Sequence, residues 1–385
     1  MSTSATRPLR VGITCYPSVG GSGALATSLG EALAHRGHTV HFISYEPPFR
    51  LPKHERVAFH PVRINDYALF KYPDYTLPLS VKMAEVSREH RLDILHVHYA
   101  VPHATAAILA RDMLPPALRP SVVTTLHGTD TTLLGQDAGY GPAISHALVQ
   151  SDAVTTVSAF LERETRRLLP VARSVEVVHN FFEPNPPRCA RETVRAELGV
   201  LPGEALVLHA SNLRPLKRVD VLLETLVRVN PRAGWRLLLL AGGDFAPYRE
   251  HAQRLGIADR IVVVEQVAHV EDYLQAADMA LFTSDTESFC LGILEAMCFA
   301  RPAVSTAVGG VPEVVDDGVT GLLAPAGDPV ALARAVDTLL ADPARRVAMG
   351  TAAQARARER FSAGVIVPCY EALYRRLAFP AAWSP

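Results

Sequence analysis

The sequence predicts an α/β fold made of two doubly wound halves, each built around a parallel sheet. Short apolar runs alternate with amphipathic stretches along the whole 385-residue chain. The alternation breaks at the polar, proline-rich segment Phe181–Pro187 and then starts again. Strands separated by helices form right-handed βαβ units, so each half is expected to hold a parallel sheet. Two such halves facing each other would make a cleft, where α/β sheets usually bind ligands.

The first half opens with a strand, a turn and a helix. Arg10–Cys15 is an apolar run that predicts a buried strand, and Gly20–Gly23 predicts a tight turn. Leucines recur every four residues from Leu25, which predicts one face of a helix that ends at Gly37. Further strands are predicted at Thr39–Ser44, Val57–Ile64, Ile94–His98, Val122–His127, Ala153–Ser158 and Val175–Val178.

The second half repeats this architecture without repeating the sequence. Strands are predicted at Leu206–Ala210, Leu237–Ala241, Ile261–Val264, Met279–Phe282 and Ala303–Thr306. Helices are predicted at about 217–230, 247–255, 270–277 and 290–300, at Arg334–Leu340 and after Pro343. The domains are expected to span residues 1–182 and 183–364, and a C-terminal helix within residues 365–385 is expected to pack back on the first domain.

Composition limits the classes of function. The chain has 39 acidic and 38 basic residues, whereas a nucleic-acid-binding protein usually shows a basic excess. The five cysteines are odd in number and form no CxxC pair, which fits a reduced compartment. No run approaches the ~18 apolar residues of a membrane span. A cytoplasmic protein without nucleic-acid or membrane partners is expected, and a homo-oligomer stays open.

Glycines and histidines mark two candidate sites in the first half. Gly20–Gly23 opens a helix, where exposed N–H groups favour an anion, although a plain structural turn would look the same. The motif is not GxGxxG, which disfavours a nicotinamide site. His127 ends a strand at the edge where ligands bind. A zinc site needs three or four ligands, and no acid or cysteine accompanies His96, His98, His103 and His127 at ligand spacing, so no metal is expected.

The second half carries basic and acidic side chains after its strands. Arg214 and Lys217 are three residues apart and could converge on a pyrophosphate, with a solvated basic turn as the alternative. Glu287 and Glu295 would lie about 12 Å apart on one helix, too far for the ~5–5.5 Å carboxylate pair of a retaining glycosidase. They are expected to contact different parts of one extended ligand. Ser288–Leu291 would offer helix N–H groups to a phosphate.

Taken together, these motifs resemble the retaining GT-B glycosyltransferases of family four. The matches span nearly the whole chain: Gly20–Gly23, His127 with Gly128, Arg214 with Lys217, Glu287 with Glu295, Gly309–Glu313 and Gly318–Gly321. The resemblance implies two Rossmann-like domains that face each other across a cleft. It also implies acceptor binding by the N-terminal domain and nucleotide-sugar binding by the C-terminal domain.

Within that family, the first half resembles the synthases that join N-acetylglucosamine to L-malate in bacillithiol biosynthesis. The matching segments of the first half are Gly12–Gly23, Phe70–Pro73, His98–His103 and Thr124–Asp130, and Ser211-Asn212 adds a match in the second half. The resemblance implies UDP-N-acetylglucosamine as donor, L-malate as acceptor, retention at the anomeric carbon, and no metal or other cofactor.

The resemblance also implies roles for individual residues. Arg214 and Lys217 would hold the diphosphate, with Ser288, Phe289, Cys290 and Leu291 adding donors. Glu295 would hold the ribose, Glu287 a hydroxyl of the donor sugar, and His127 would orient the sugar near the reacting carbon. The expected catalytic residues are His127, Arg214, Lys217 and Glu287. The expected acceptor-binding residues are Gly21, Ser22, Gly23, Tyr99, Thr125, Asn180 and Lys71.

Departures from the family pattern lie in the second half. Cys290 and Glu265 stand where glycine is usual, and Ala241 replaces the first glycine of a Gly-x-Gly-Pro motif. These positions border the nucleotide, so they bear on the donor more than on the acceptor. Two alternatives stay open: a GT-B transferase with another donor or a lipid or glycan acceptor, and a non-catalytic protein that binds sugar nucleotides.

Overall fold

The computed structural model describes residues 7–17, 21–64, 74–169, 171 and 174–379. The chain divides into two compact units. Unit 1 comprises Met1–Asn180 and Ala363–Pro385, and unit 2 comprises Phe181–Ser362. The break falls at the start of the proline-rich segment, where the alternating pattern stops. Within the described ranges, no helix combines the length and the apolar character that crossing a membrane would require.

Unit 1 is built on a seven-stranded sheet in which every neighbouring pair is parallel. Its strands are β1 (Arg10–Thr14), β2 (Thr39–Ser44), β3 (Val57–Pro61), β4 (Ile94–His98), β5 (Ser121–Leu126), β6 (Ala153–Thr156) and β7 (Val175–Val177). Their order across the sheet is β3-β2-β1-β4-β5-β6-β7. The helices between them are α1 (Gly21–His35), α2 (Thr76–His90), α3 (Thr105–Asp112), α4 (Tyr140–Gln150) and α5 (Ala159–Leu168).

Unit 2 is built on a six-stranded parallel sheet in the order β10-β9-β8-β11-β12-β13. Its strands are β8 (Ala205–Ser211), β9 (Trp235–Ala241), β10 (Ile261–Glu265), β11 (Met279–Phe282), β12 (Ala303–Thr306) and β13 (Gly321–Ala324). Its helices are α6 (Arg191–Glu197), α7 (Val219–Leu226), α8 (Ala246–Arg254), α9 (Val270–Ala276), α10 (Leu291–Cys298), α11 (Val311–Val314), α12 (Pro329–Ala341) and α13 (Pro343–Phe361).

The last helix, α14 (Ala363–Ala378), belongs to unit 1. Tyr374 on this helix shares a hydrogen bond of 2.6 Å with Nδ1 of His96 on β4. Glu371 accepts a hydrogen bond of 2.8 Å from Arg36, just after α1. A buried polar contact therefore joins α14 to β4, and a charged contact joins it to the end of α1.

The central strands carry near-continuous apolar runs because helices cover both faces of a parallel sheet. In unit 2 the core gathers around β8, β9 and β11, and Trp235 is among its largest buried side chains. The sequence analysis missed β13, a four-residue strand that begins at Gly321. A side chain at Gly321 would collide with the carbonyl of Ala303, so the close pairing of β12 and β13 requires glycine there.

Candidate active site

In unit 2, the loops that follow β8 and β11 lie side by side, because these two strands are neighbours in the sheet. The carboxyl ends of parallel strands meet at one edge, where ligands of α/β sheets usually bind. The N–H of Asp285 donates to the carbonyl of Leu216 at 2.9 Å. Thr283 Oγ1 donates to the carbonyl of Lys217 at 3.1 Å, across 66 residues of sequence. These bonds hold the two loops together.

The two loops bring together the ion pair Lys217–Glu287. Lys217 Nζ lies 2.6 Å from Glu287 Oε1, and Ser284 Oγ donates to the same oxygen at 2.7 Å. The Lys217 and Glu287 side chains are only 16% and 9% exposed. Charge-assisted hydrogen bonds are shorter and stronger than neutral ones. The pair therefore holds one cation and one carboxylate in defined positions at the edge of the sheet.

A glycine pair supports the backbone of Glu287. The N–H of Gly310 donates to the carbonyl of Glu287 at 2.9 Å. Gly309 has a φ of +55°, and a side chain there would collide with the same carbonyl. Only glycine satisfies both the left-handed backbone and the close approach. The motif Gly309–Glu313, singled out in the sequence, thus positions the loop of Glu287.

The remaining predicted donor residues lie at the start of α10. Cys290 is buried, precedes the helix and has a φ of +69°. Phe289 is buried and its ring packs against that of Phe361, so its side chain is not available to a ligand. Ser288, Leu291 and Glu295 are half-buried. Burial raises the pKa of the Cys290 thiol well above its usual value, so this group stays neutral.

The two arginines beside Lys217 differ in their surroundings. Arg218 is bound to Asp220 at 2.8 Å and to Asp285 at 3.0 Å, so its charge is already matched by two carboxylates. Arg214 is exposed, three residues before Lys217. Arg214 can therefore reach towards an incoming anion at a smaller loss of existing contacts than Arg218.

In unit 1, the predicted glycine turn and Tyr99 come together. Ser22 Oγ and the hydroxyl of Tyr99 share a hydrogen bond of 2.7 Å, across 77 residues of sequence. Gly21 begins α1 with a φ of +50°, and Gly23 is buried within the first turn. The N–H of Tyr99 donates to the carbonyl of Thr125 at 2.9 Å, which ties the residue after β4 to the end of β5. Hydroxyl groups therefore lie close to the N-terminus of α1.

His127 lies beside the same tyrosine. Its Nε2 is 2.8 Å from Nδ1 of His98, and its ring centre is 5.0 Å from that of Tyr99. Burial lowers the pKa of His127 to about 3 and that of His98 well below its usual value. Both rings are neutral at pH 7, and in the hydrogen bond between them one ring donates and the other accepts. The site offers neutral imidazole rather than a cation.

Other predicted residues of unit 1 are placed differently. The Thr125 hydroxyl is fully buried and shares hydrogen bonds of 2.7 Å with His96 and 2.6 Å with Thr155, so its side chain belongs to the core. Asn180 is 8% exposed, and its Oδ1 has no partner within the described part of the chain. Lys71 lies outside the described residues.

One residue that the sequence analysis did not single out is Asp130. This carboxylate is 1% exposed and accepts a hydrogen bond of 3.1 Å from the N–H of His127. Burial raises the pKa of Asp130 to about 7, against hydrogen bonds that lower it. Perturbed carboxylates concentrate at functional sites. A lone acid in an otherwise uncharged run, Thr124–Asp130, was the signal that could have identified it.

Two family models match the chain in sequence. The family described as "Glycosyltransferase Family 4" matches residues 19–185, and "Glycosyl transferases group 1" matches residues 190–356. An N-acetyl-alpha-D-glucosaminyl L-malate synthase of Bacillus anthracis is 40% identical over 369 residues, which cover 95% of this chain and 96% of its own length. A D-inositol 3-phosphate glycosyltransferase of Kineococcus radiotolerans is 35% identical over 216 residues, 51% of this chain and 49% of its own length.

Solved structures share the fold over nearly the whole chain. Sucrose-phosphate synthase from Thermosynechococcus elongatus matches with a TM-score of 0.78 and 22% identity over 96% of this chain and 99% of its own. HepE of Anabaena, solved in complex with UDP and glucose, matches with a TM-score of 0.78 and 19% identity over 95% and 99%. The fold is therefore GT-B, as the sequence predicted. With both halves matched, the chain is a glycosyltransferase and belongs to family 4, together with the N-acetyl-alpha-D-glucosaminyl L-malate synthase of Bacillus anthracis.

Proposed function

We propose that the protein transfers N-acetylglucosamine from UDP-N-acetylglucosamine to the hydroxyl of L-malate, with retention at the anomeric carbon. The observation that carries the proposal is the 40% identity to the B. anthracis synthase over 95% of the chain. That match covers 95% of the chain, so it extends over both units. In the reaction, the malate oxygen forms a bond to the sugar C1, the bond from C1 to the diphosphate breaks, and the hydroxyl proton leaves with UDP or solvent.

The charges of unit 2 support its role as the donor site. Diphosphate leaves more easily when fixed positive charge meets the developing negative charge, because prearranged groups need no reorganisation during the reaction. Lys217 is held at 2.6 Å from Glu287 and Arg214 is exposed beside it. In the proposal both cations bind the diphosphate, Glu287 binds a sugar hydroxyl, and Glu295 binds the ribose. The N–H groups at the start of α10 add donors to the phosphate.

The groups of unit 1 support its role as the acceptor site. Malate carries two carboxylates, which accept hydrogen bonds from hydroxyl groups and from the free N–H groups of a helix N-terminus. Ser22 and Tyr99 lie 2.7 Å apart at the start of α1. In the proposal they hold malate together with Gly21 and Gly23, and the neutral ring of His127 orients the sugar. No step uses a metal ion.

A second candidate has a different acceptor. The D-inositol 3-phosphate glycosyltransferase of K. radiotolerans is 35% identical over about half of this chain. An inositol phosphate would also need anion donors in unit 1. The match to the malate synthase covers 95% of the chain, which is why malate is the first acceptor to test.

The test incubates the purified chain with UDP-N-acetylglucosamine or another nucleotide sugar, and with L-malate or inositol 3-phosphate. Product mass, nucleotide release and the anomeric configuration are measured, with and without EDTA. We expect an α-linked product from UDP-N-acetylglucosamine and L-malate at the same rate in EDTA. Product from inositol 3-phosphate alone would overturn the acceptor, an inverted product would overturn retention, and inhibition by EDTA would overturn metal independence.

A further inference from the structure

Three histidines from different elements meet at one corner of unit 1. His41 lies on β2, His60 on β3, and His90 is the last residue of α2. In the register of these strands, Ile43 pairs with His60 and His41 pairs with Ala58. Residues two apart on a strand share a face, so His41 and His60 lie on the same face of the sheet as diagonal neighbours. The end of α2 brings His90 to that face.

The ring nitrogens of these histidines are close enough to share one ion. One ligand nitrogen from each residue lies within 4.8 Å of the other two, and Nδ1 of His41 is 2.9 Å from Nε2 of His60. A tetrahedral zinc ion about 2.0–2.1 Å from each nitrogen requires nitrogens about 3.4 Å apart. Small side-chain adjustments connect the two arrangements. The ring of His90 lies 4.3 Å from that of His41 and 5.2 Å from that of His60, centre to centre.

Burial and neighbouring charges act on the rings of this cluster. Burial, together with repulsion between the histidines, lowers the pKa of His41 to about 4 and lowers that of His60. Neutral imidazole is the form of histidine that binds metals. Arg10 and Lys82 lie near enough to contribute to these lowered pKa values, whereas Glu89 opposes the shift at His60. A bound divalent ion would be drawn towards Glu89 and opposed by the two cations.

The cluster is also reachable from solvent. His41 is buried, but His60 is half-buried and the side chain of His90 is 32% exposed. An ion can therefore enter from the open side and retain a water molecule as its fourth ligand, as sites with three protein ligands do. His41 and His60 share a hydrogen bond, so one of the two facing nitrogens carries a proton. A nitrogen that binds a metal carries no proton, so on metal binding that proton would move to the other nitrogen of the same ring.

We propose that His41, His60 and His90 form a binding site for a divalent cation that prefers imidazole, with Zn²⁺ as the first ion to test. The site joins the edge strand β3 to β2 and to the end of α2. The residues proposed to bind donor and acceptor are not among its ligands. The ion therefore stabilises unit 1 and takes no part in glycosyl transfer. The inference rests on the geometry of the three rings and is independent of the substrates proposed above.

The experiment measures Zn²⁺ binding to the full chain after removal of metals. Wild type is compared with His60→Asn and His90→Asn, which change half-buried side chains and spare the buried His41. The matched control is His35→Asn. His35 is exposed, and its ring centre lies 5.0 Å from that of a second histidine, His54. Among the described residues, these two histidines belong to no group of three potential metal ligands. Stoichiometry, affinity, melting temperature and turnover are recorded, and circular dichroism confirms that each variant folds.

We expect one Zn²⁺ per chain in wild type and in His35→Asn, with affinity at least about tenfold weaker in His60→Asn and His90→Asn, because a ligand is lost. Zn²⁺ should raise the melting temperature of wild type and leave turnover unchanged. Absence of binding, or equal binding in all four proteins, would overturn the site. A chain that binds Zn²⁺ here but makes no product would refute the proposed function and leave this inference intact.

Discussion

The candidate sites of the two units both lie after the strands of parallel sheets, but one presents charged side chains and the other presents neutral ones. Unit 2 presents Lys217 against Glu287 with Arg214 exposed nearby. Unit 1 presents hydroxyl groups and the histidines His98 and His127, which burial keeps neutral. A diphosphate that gains charge as it leaves needs fixed cations. A carboxylate acceptor needs orientation, which neutral donors supply without competing for the leaving group. The same fold thus supports two kinds of anion site.

The largest expected effect is on turnover and tests the charged site of unit 2. Lys217→Ala should reduce turnover at least ~10²-fold, because it removes charge stabilisation that develops in the transition state. The matched control is Lys82→Ala, since Lys82 also lies 2.6 Å from a glutamate, Glu85, but on the surface of α2. Steady-state kinetics with both substrates provides the measurement. Near-normal turnover in Lys217→Ala would remove the contrast between the two sites.

The next largest effect is on the KM for malate and tests the neutral site of unit 1. Ser22→Ala removes a hydroxyl that lies 2.7 Å from Tyr99 and should raise the KM for malate by about threefold to tenfold, the value of one hydrogen bond. The KM for UDP-N-acetylglucosamine should change far less. Tyr99→Phe tests the partner in the same assay. Equal changes in the two KM values would contradict the assignment of the acceptor to unit 1.

A measurement of stability against pH tests whether burial raises the pKa of Asp130 in unit 1. The pKa of Asp130 is about 7 in the folded protein and ~3.9 when unfolded, so between these values the folded state binds more protons. Its contribution to stability is therefore present at low pH and is lost as pH rises towards 7, by at most about 1.4 kcal/mol per pH unit. Asp130→Asn stays neutral, so its free energy of unfolding relative to wild type should increase from pH 5 to pH 8. A difference independent of pH would show that Asp130 is charged when folded.

The smallest expected effect is on stability and concerns Cys290 in unit 2, which stands where the family pattern has glycine. Cys290 adopts the left-handed backbone with a φ of +69°, which disfavours a side chain by about 1–2 kcal/mol. Cys290→Gly relieves this strain but loses a small buried side chain, worth about 0.8 kcal/mol per methylene. The free energy of unfolding should therefore change by less than about 1 kcal/mol, measured by denaturant titration. A loss above about 2 kcal/mol would show that the packing of Cys290 dominates.

Much of the fold could be predicted from local patterns, and the exceptions have physical reasons. The strand Met279–Phe282 was predicted with its observed bounds because a fully buried strand reads as a continuous apolar run. The predicted strand Val57–Ile64 ends at Pro61 in the structure. Proline lacks the N–H that a sheet ladder needs, so it suits the end of an edge strand. The strand at Gly321 was missed because four residues beginning with glycine carry little periodic signal.

The sequence identified individual residues of the candidate site but not the contacts between them. Lys217 and Glu287 were both identified, yet their ion pair was not, because it spans 70 residues and depends on β8 lying next to β11. Thr125 was expected to contact the acceptor, but the strand places its hydroxyl between His96 and Thr155 in the core. Side chains alternate between the two faces of a strand, and sequence alone did not establish which face was open.

The sequence by itself determined that this protein has two α/β halves, where they divide, and which residue types follow each strand. These properties depend on local periodicity, on glycine and on proline, which act over a few residues. Only the tertiary structure decided that Asp130 is buried, that Lys217 meets Glu287, and that His41, His60 and His90 share a corner. Strand order and helix crossovers bring such residues together over long stretches of chain, and burial then sets which of them carry charge.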